Sequence, residues 1–363
     1  MERAIESRMT MTQFLSALFD RLDIAAVAAM SRLPSGRKAT FSLITDCADV
    51  QACVPFFPAM PANAARLISR FTREAAPSKP VAVFLRPCEL RALIELVKIN
   101  QASMENLLII SWTCPGVFPF QSIDLCDETT LNAYWEAAAT GKNCEGIRPV
   151  CAGCTHFVPK GADLALSLVG RKWDQPLAIS FLSEKGRSAA ERLGLDFSKT
   201  LDAPAAESSM ARQRQQGEEA LKAETGASLA DIMGLVNVFD RCISCHACSY
   251  ACPICYCKNC YFDSQTFEYF PESYFTRMKA KGALRLPVDR LLFHLGRLSH
   301  MGTSCVACGM CEDVCPVNIP VSRIFKTVGS RVQDLFAYTP GEYPDAPMPL
   351  AAYAEKELEN FAD

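Results

Sequence analysis

Phe14, Leu15, Leu18, Phe19 and Leu22 recur at the spacing of one helical face, so the chain is expected to open with an amphipathic helix packed on a core. Residues 39–44 read as a short strand, and 63–74 as a helix with Ala65, Leu67, Ile68 and Phe71 inward. Residues 81–85 form a continuous apolar run. They are followed by helical spacing over 88–100, with Leu90, Leu93, Ile94 and Val97 inward, and by a second apolar run at 107–110. Strand, helix and strand in that order predict a parallel, right-handed crossover. Two more strand-like runs, 163–169 and 177–182, precede a helix around 187–193. Residues 1–201 therefore read as an α/β domain with a partly parallel sheet.

From 202 to 224 the sequence turns polar and rich in Ala, Glu, Gln and Arg, which suits a linker or surface helix. A length of 363 residues with 50% hydrophobic content allows two or three units with ample core. The net charge of −3 points to neither a nucleic acid nor a strongly acidic partner.

The 19 cysteines change the picture most. Cys242, Cys245, Cys248 and Cys252 precede Pro253; Cys305, Cys308, Cys311 and Cys315 precede Pro316. Both runs read C-x2-C-x2-C-x3-C-P, the spacing of a bacterial two-cluster ferredoxin, in which the fourth thiolate of each run crosses to the other cubane. Cys242, Cys245, Cys248 and Cys315 are thus expected to hold one [4Fe-4S] cluster, and Cys305, Cys308, Cys311 and Cys252 the other. Structural zinc uses pairs of ligands around one tetrahedral ion, not triplets with a distant fourth.

Residues 225–330 accordingly read as an α+β or α-rich two-cluster ferredoxin-like domain, and 331–363 as an extended tail that embraces a partner. Cysteines in such blocks suit a reducing compartment. Charges spread through residues 1–30 leave no apolar run of signal-peptide type, and no segment approaches ~18 uncharged apolar residues. A cytoplasmic protein without a membrane span is expected.

Outside this motif, Cys88 stands between a strand and a helix, Cys114 just after the next strand, and Cys151 and Cys154 as a C-x2-C pair before the strand-like run at 163. Neighbouring parallel strands open at one carboxyl edge, where ligands bind in α/β sheets, so these four thiols can converge. Arg86-Pro-Cys-Glu-Leu-Arg-Ala-Leu93, the Cys114-Pro-Gly turn, and the Cys151/Cys154 pair followed by Ala162-Asp163 resemble the beta-subunit family of coenzyme F420 hydrogenases and dehydrogenases. The order of an α/β domain and a two-cluster ferredoxin is most similar to a formate dehydrogenase beta subunit. The resemblance implies a third [4Fe-4S] cluster on Cys88, Cys114, Cys151 and Cys154, an FAD, and a catalytic alpha subunit as partner. One departure stands out: members that bind FAD and the deazaflavin usually carry a Gly-Gly segment, whereas residues 40–66 contain no Gly and the chain has no G-x-G-x-x-G.

Cys255, Cys257 and Cys260 exceed what the ferredoxin pattern needs. Either they supply part of another cluster, with a fourth ligand from Cys47, Cys53, Cys126 or Cys144, or they form a shell that tunes potential. Arg277, Lys279, Lys281, Arg285, Arg290 and Arg297 make the insert between the runs basic, as a solvated helix face or a docking face for an acidic partner. His294 and His300 suit packing or hydrogen bonding, and His156 and His246 lie beside cysteines that they would tune. No nucleophile triad, carboxylate pair or Walker loop is recognisable.

The expected function is an electron-transfer beta subunit of a soluble formate dehydrogenase or hydrogenase complex. It would relay electrons between the alpha subunit and a flavin or a heterodisulfide-reductase-type flavoprotein. The alternative is a flavin-dependent dehydrogenase or reductase that acts on a soluble substrate or on the deazaflavin itself.

Overall fold

A computed structural model of the chain describes residues 4–7, 9–172, 175–195, 200–201, 205–349 and 351–352. The first part contains β1 (Ala4–Glu6), α1 (Met11–Leu22), β2 (Ala26–Arg32), β3 (Ala39–Ile44), α2 (Ala64–Thr72), β4 (Val81–Phe84) and α3 (Pro87–Lys98). It continues through β5 (Leu107–Trp112), α4 (Glu128–Ala139), α5 (Pro149–Ala152), β6 (Leu164–Leu166), β7 (Ala178–Phe181), α6 (Glu184–Arg192) and β8 (Thr200–Leu201). Then come the helices α7 (Ala205–Ser228), α8 (Ile232–Phe239), α9 (Ala247–Tyr250), α10 (Pro271–Lys281), α11 (Arg290–Met301), α12 (Met310–Asp313) and α13 (Val321–Leu335). Among the described residues of 225–330 there is no strand, so the region expected as α+β or α-rich is helical.

The strands form one mixed sheet in the order β3-β2-β4-β5-β6-β7-β1-β8. β2, β4, β5 and β6 run parallel, with Val81 opposite Leu107 and Ile110 opposite Leu164. The expected crossover is β4-α3-β5. The runs at 163–169 and 177–182 shorten to β6 and β7, which pair antiparallel. β2 carries no sequence signal of a half-buried strand: Ala26 to Ser31 are all buried, so polar positions do not alternate with apolar ones.

One face of the sheet packs Val27, Phe84, Ile110 and Leu164 under Phe14 and Leu18 of α1 and Ala189 and Ala190 of α6. The other packs Val83, Leu85 and Ile109 under Ile68 of α2 and Leu90, Leu93 and Ile94 of α3, and this same core takes in Ile254 and Val306 from the helical part. The cysteine-rich helices therefore share a core with the sheet.

A buried ion pair between Arg148 and Asp313 joins the two parts, and Arg148 also donates to the carbonyls of Met60 (3.1 Å) and Cys308 (3.0 Å). Arg66 of α2 reaches across to the carbonyls of Tyr250 and Cys252.

Where 202–224 were expected as a linker or surface helix, Ala205–Ser228 form one helix packed on α5 and α13. Contact with α5 is backbone-close: a Cβ on Gly153 would stand 2.9 Å from the Glu218 nitrogen, and one on Gly217 would stand 2.7 Å from the Ala152 oxygen. The expected tail differs too. Residues 331–335 are the last turns of α13, and the segment beyond them folds back on α3 of its own chain. Glu95, fully buried, accepts hydrogen bonds from the Tyr338 hydroxyl (2.5 Å) and the Gly341 N–H (2.8 Å), while Arg91 donates to the Pro340 carbonyl (2.7 Å). A buried carboxylate needs such donors, which is why this segment is docked rather than extended. Residues 353–363 lie outside the described residues. Among the described residues no helix is long and apolar enough to cross a membrane.

Candidate metal centres

The two cysteine runs share one backbone design. Ser244 and His246 in the first run, and Ala307 and Gly309 at the equivalent positions of the second, all have positive φ (50°, 55°, 54° and 85°). These left-handed residues curl each run so that consecutive cysteines face one side. Gly309 is required twice over, since a Cβ there would meet the Arg148 side chain at 2.9 Å.

Cys242 and Cys248 feel the charge of Cys315, and Cys305, Cys308 and Cys311 that of Cys252, in each case the fourth cysteine of the other run. Burial raises the Cys242 thiol, helped by the charges of Cys245 and Cys315. Cys248 is pushed up to about 11 by burial and by Cys242, Cys315 and Cys245. In the second group burial dominates again, and Cys305, Cys308 and Cys311 each feel Cys252, the fourth cysteine of the other run. Backbone N–H groups of Ser244 and Ile319 donate to the sulfurs of Cys242 (3.4 Å) and Cys315 (3.3 Å).

Of the set expected at the sheet edge, Cys88 feels the charges of Cys114 and Cys151, and Cys151 that of Cys154. Pro87 and the Glu89 carboxylate, which accepts from the Arg86 N–H (2.8 Å), start α3 and fix Cys88 in its first turn. Cys114 follows β5, and Cys151 and Cys154 lie on and just after α5. Burial lifts the Cys88 thiol well above its usual range, with further push from Glu89, Cys308, Cys114 and Cys151. Cys151 in turn feels Cys154. Cys88 and Cys151 also share a small apolar core with Cys308 and Met310, so the third set abuts the second group directly.

Every set is bordered by buried cations. Arg86, Arg91, Arg148 and Arg214 surround the sheet-edge thiols, and Arg297 the helical ones. Arg148 Nε, Arg214 Nη2 and Arg297 Nε are buried without a hydrogen-bond partner. Orphaned cationic N–H groups beside converging thiols fit an anionic iron–sulfur group at each set, which would supply acceptors and balance charge. Among the described residues no three His, Cys, Asp or Glu side chains close around a single ion. Thiolates bound to different irons of a cubane are not required to do so.

Residues 238–319 match the 4Fe-4S dicluster domain family. The F420-dependent formate dehydrogenase subunit beta of Methanocaldococcus jannaschii is 26% identical over 370 residues, covering 93% of each chain. The F420-dependent formate dehydrogenase 1 subunit beta of Methanococcus maripaludis is 25% identical, covering 93% of this chain and 92% of its own. The chain is thus similar along its length to F420-dependent formate dehydrogenase beta subunits. A chain of the F420-reducing [NiFe] hydrogenase complex from Methanosarcina barkeri matches 62% of this chain and 89% of its own, at 10% identity and a TM-score of 0.43.

In this relative of the beta subunits the extra cysteines diverge. Cys255 donates to Cys252, holding that thiol down at about 6 while its own is raised. Cys257 is exposed, and Cys260 packs near Phe262 and Phe293. Cys53 packs on the α1 face of the sheet, Cys144 near Phe118, and Cys126 is exposed beside Gly36. Cys47 lies in a short turn after β3.

Charge counting did not reveal what the basic insert does. Arg297 is buried, donates to the Cys248 sulfur (3.1 Å) and carbonyl (3.1 Å), and stacks on Phe325. Arg285 and Arg290 pair with Asp240, and Arg277 lies over the Tyr269 ring. His294 meets the Cys242 sulfur at 3.3 Å, and burial lowers its pKa to about 3, so the imidazole is neutral. His246 bonds Asp263 (2.5 Å) and stacks on Phe293. His156 is lowered to about 3 by burial, with the charges of Arg91 and Lys326 adding to it. His294 and Arg297 lie on the face of α11 that is turned to the thiols.

One cavity of ≈ 410 Å³ opens at the start of α1 and the end of β6. Phe56 and Trp135 line it with Thr10, Ser167, Arg171 and Lys172, and both aromatics pack on the core that also holds Cys114.

Proposed function

We propose that the chain is the iron–sulfur electron-transfer beta subunit of a multisubunit oxidoreductase of formate dehydrogenase or hydrogenase type. Cys242, Cys245, Cys248 and Cys315 would hold one [4Fe-4S] cluster, Cys252, Cys305, Cys308 and Cys311 a second, and Cys88, Cys114, Cys151 and Cys154 a third. When bound, these clusters supply one-electron transfer. The observation that carries the reading is the adjacency of Cys88 and Cys308, which makes the three thiol sets one continuous line from the helical module into the sheet.

The residues of the chain do the rest. Arg86, Arg91, Arg148, Arg214 and Arg297 offset the negative charge of bound thiolates, and apolar cores around Met60, Met310, Phe293 and Phe325 exclude water. Cys255, beside Cys252, and Cys260, on the core of Cys248, Phe262 and Phe293, would tune the helical sets from outside. A catalytic alpha subunit would deliver electrons at one end. A heterodisulfide-reductase-type flavoprotein would take them at the other.

The cavity at the start of α1, whose aromatic walls pack on the core that Cys114 also touches, favours a second reading, with the relay ending on FAD in this chain. Its volume falls in the range of ligand pockets. Two aromatic rings suit a flavin, and Arg171, Lys172 and the N-terminus of α1 suit its phosphates. That chain would itself reduce or oxidise the deazaflavin or another soluble hydride carrier, joining two-electron to one-electron chemistry. Anaerobic purification with iron and flavin quantification tests both. Roughly twelve irons per chain, four for each of three cubanes, are expected. Eight would remove the third cluster from the reading, and stoichiometric FAD would select the second reading over the first.

A further inference from the structure

α11 presents two nitrogen donors one turn apart to the same group of thiols. Arg297 Nη1 lies 3.1 Å from the Cys248 sulfur, and His294 Nε2 lies 3.3 Å from the Cys242 sulfur. His294 Nδ1 is buried without a partner, so we assign the ring proton to Nε2, which then donates to sulfur. Both side chains are held in place. Arg297 is sandwiched by Phe293 and Phe325 (5.6 and 4.9 Å) and anchored on the Cys248 carbonyl, and His294 stacks on Phe239 at 4.1 Å.

The second group of thiols is served differently. Arg91, Arg148 and Arg297 all stand near it, yet Arg91 Nε donates to the Pro340 carbonyl and Arg148 Nη1 to the Cys308 carbonyl, and Arg297, which also lines the cavity of Cys252, Cys305, Cys308 and Cys311, gives its hydrogen bond to sulfur at Cys248. Among the described residues, cationic N–H donation to a ligand sulfur is thus found at Cys248 and not at Cys252, Cys305, Cys308 or Cys311.

Hydrogen bonds to ligand sulfur and nearby positive charge stabilise the more negative, reduced state of a cluster, and so raise its potential. We propose that Arg297, assisted by His294, is a positioning residue that makes the cluster on Cys242, Cys245, Cys248 and Cys315 the more readily reduced of the two in the helical module. This rests on the ligand assignment proposed above. It assigns direction to the relay: the helical module holds electrons at its Cys248 end, and the Cys308 end, next to the sheet, is the steeper step.

The test is an EPR-monitored redox titration of the anaerobically purified full chain, with the signals assigned through Cys248→Ser. Arg297→Gln should keep the iron content and make reduction of the Cys248 cluster at least tenfold less favourable, a shift of about 59 mV for a one-electron couple, while the other cluster moves less. Arg297→Lys, which keeps the charge, should recover most of that shift. His294→Phe should lower the same cluster by a smaller amount, and it carries the test alone should Arg297→Gln fail to load iron. Equal movement of both clusters, or no movement in an iron-replete variant, overturns the proposal. Failure of the ligand assignment is read separately: Cys248→Ser in the otherwise unaltered chain would then leave both signals unchanged, and the proposal falls with it.

Discussion

The eight thiols of the helical module come from two short turns of repeated design, whereas Cys88, Cys114, Cys151 and Cys154 come from three separate loops at one edge of a sheet. In the module the geometry is local: left-handed residues at Ser244, His246, Ala307 and Gly309 place each thiol, and only the fourth cysteine of each run depends on the rest of the fold. At the sheet edge nothing is local. Cys88 is placed by the β4–α3 turn, Cys114 by the end of β5, and Cys151 and Cys154 by α5, so the set depends on how these elements stand together. A local site can be read from spacing, while a sheet-edge site is read from topology and is as fragile as the packing that assembles it.

The sharpest way to break this comparison is Cys315→Ala. It should abolish the cluster of Cys242, Cys245 and Cys248, a loss of about four irons per chain, and spare the cluster of its own run. EPR of the anaerobic protein decides the matter, and loss of the other cluster would refute the crossing. A smaller effect is expected from Arg148→Met, which leaves Asp313 buried without its cation where module and sheet meet. Removing one partner of such a pair costs about 3–5 kcal/mol. The melting temperature should fall and the sheet-edge cluster should be lost before the helical pair; unchanged thermal unfolding would show that the interface does not depend on this pair. Smallest is Cys257→Ser. An exposed side chain outside the three sets should shift stability by no more than about 0.5 kcal/mol and leave iron content unchanged, whereas loss of iron would place it in a fourth cluster.

How much the sequence disclosed follows the same division. The β4-α3-β5 unit was legible because its apolar runs are long and its helical spacing is clear. β2 was not, because a strand buried on both faces and rich in alanine shows no alternation and has Val27 as its one β-branched residue. The cysteines of the module could be named from spacing, and those at the sheet edge from strand ends and a family resemblance. Arg148, Arg214 and Arg297 could not. An arginine in a polar stretch reads as solvated, and only tertiary packing reveals that its guanidinium is enclosed among thiols and aromatic rings. The segment beyond α13 misled for a similar reason: its prolines and tyrosines suggested an arm, while its partner, Glu95, lies far away in sequence.

That distant partnership bears on how the protein is made. Glu95 sits inside the molecule on the helix that begins beside Cys88, and two of its donors, Tyr338 and Gly341, leave the ribosome 243 and 246 residues after it. At 5–20 residues per second the α/β part waits about 10–50 s for them. Until then the carboxylate has only Lys98 within the finished helix to answer it. Docking of the helix that carries Cys88 is thus completed only after residues 338–341 have been made, and a nascent chain stalled before them would leave Glu95 without these two donors.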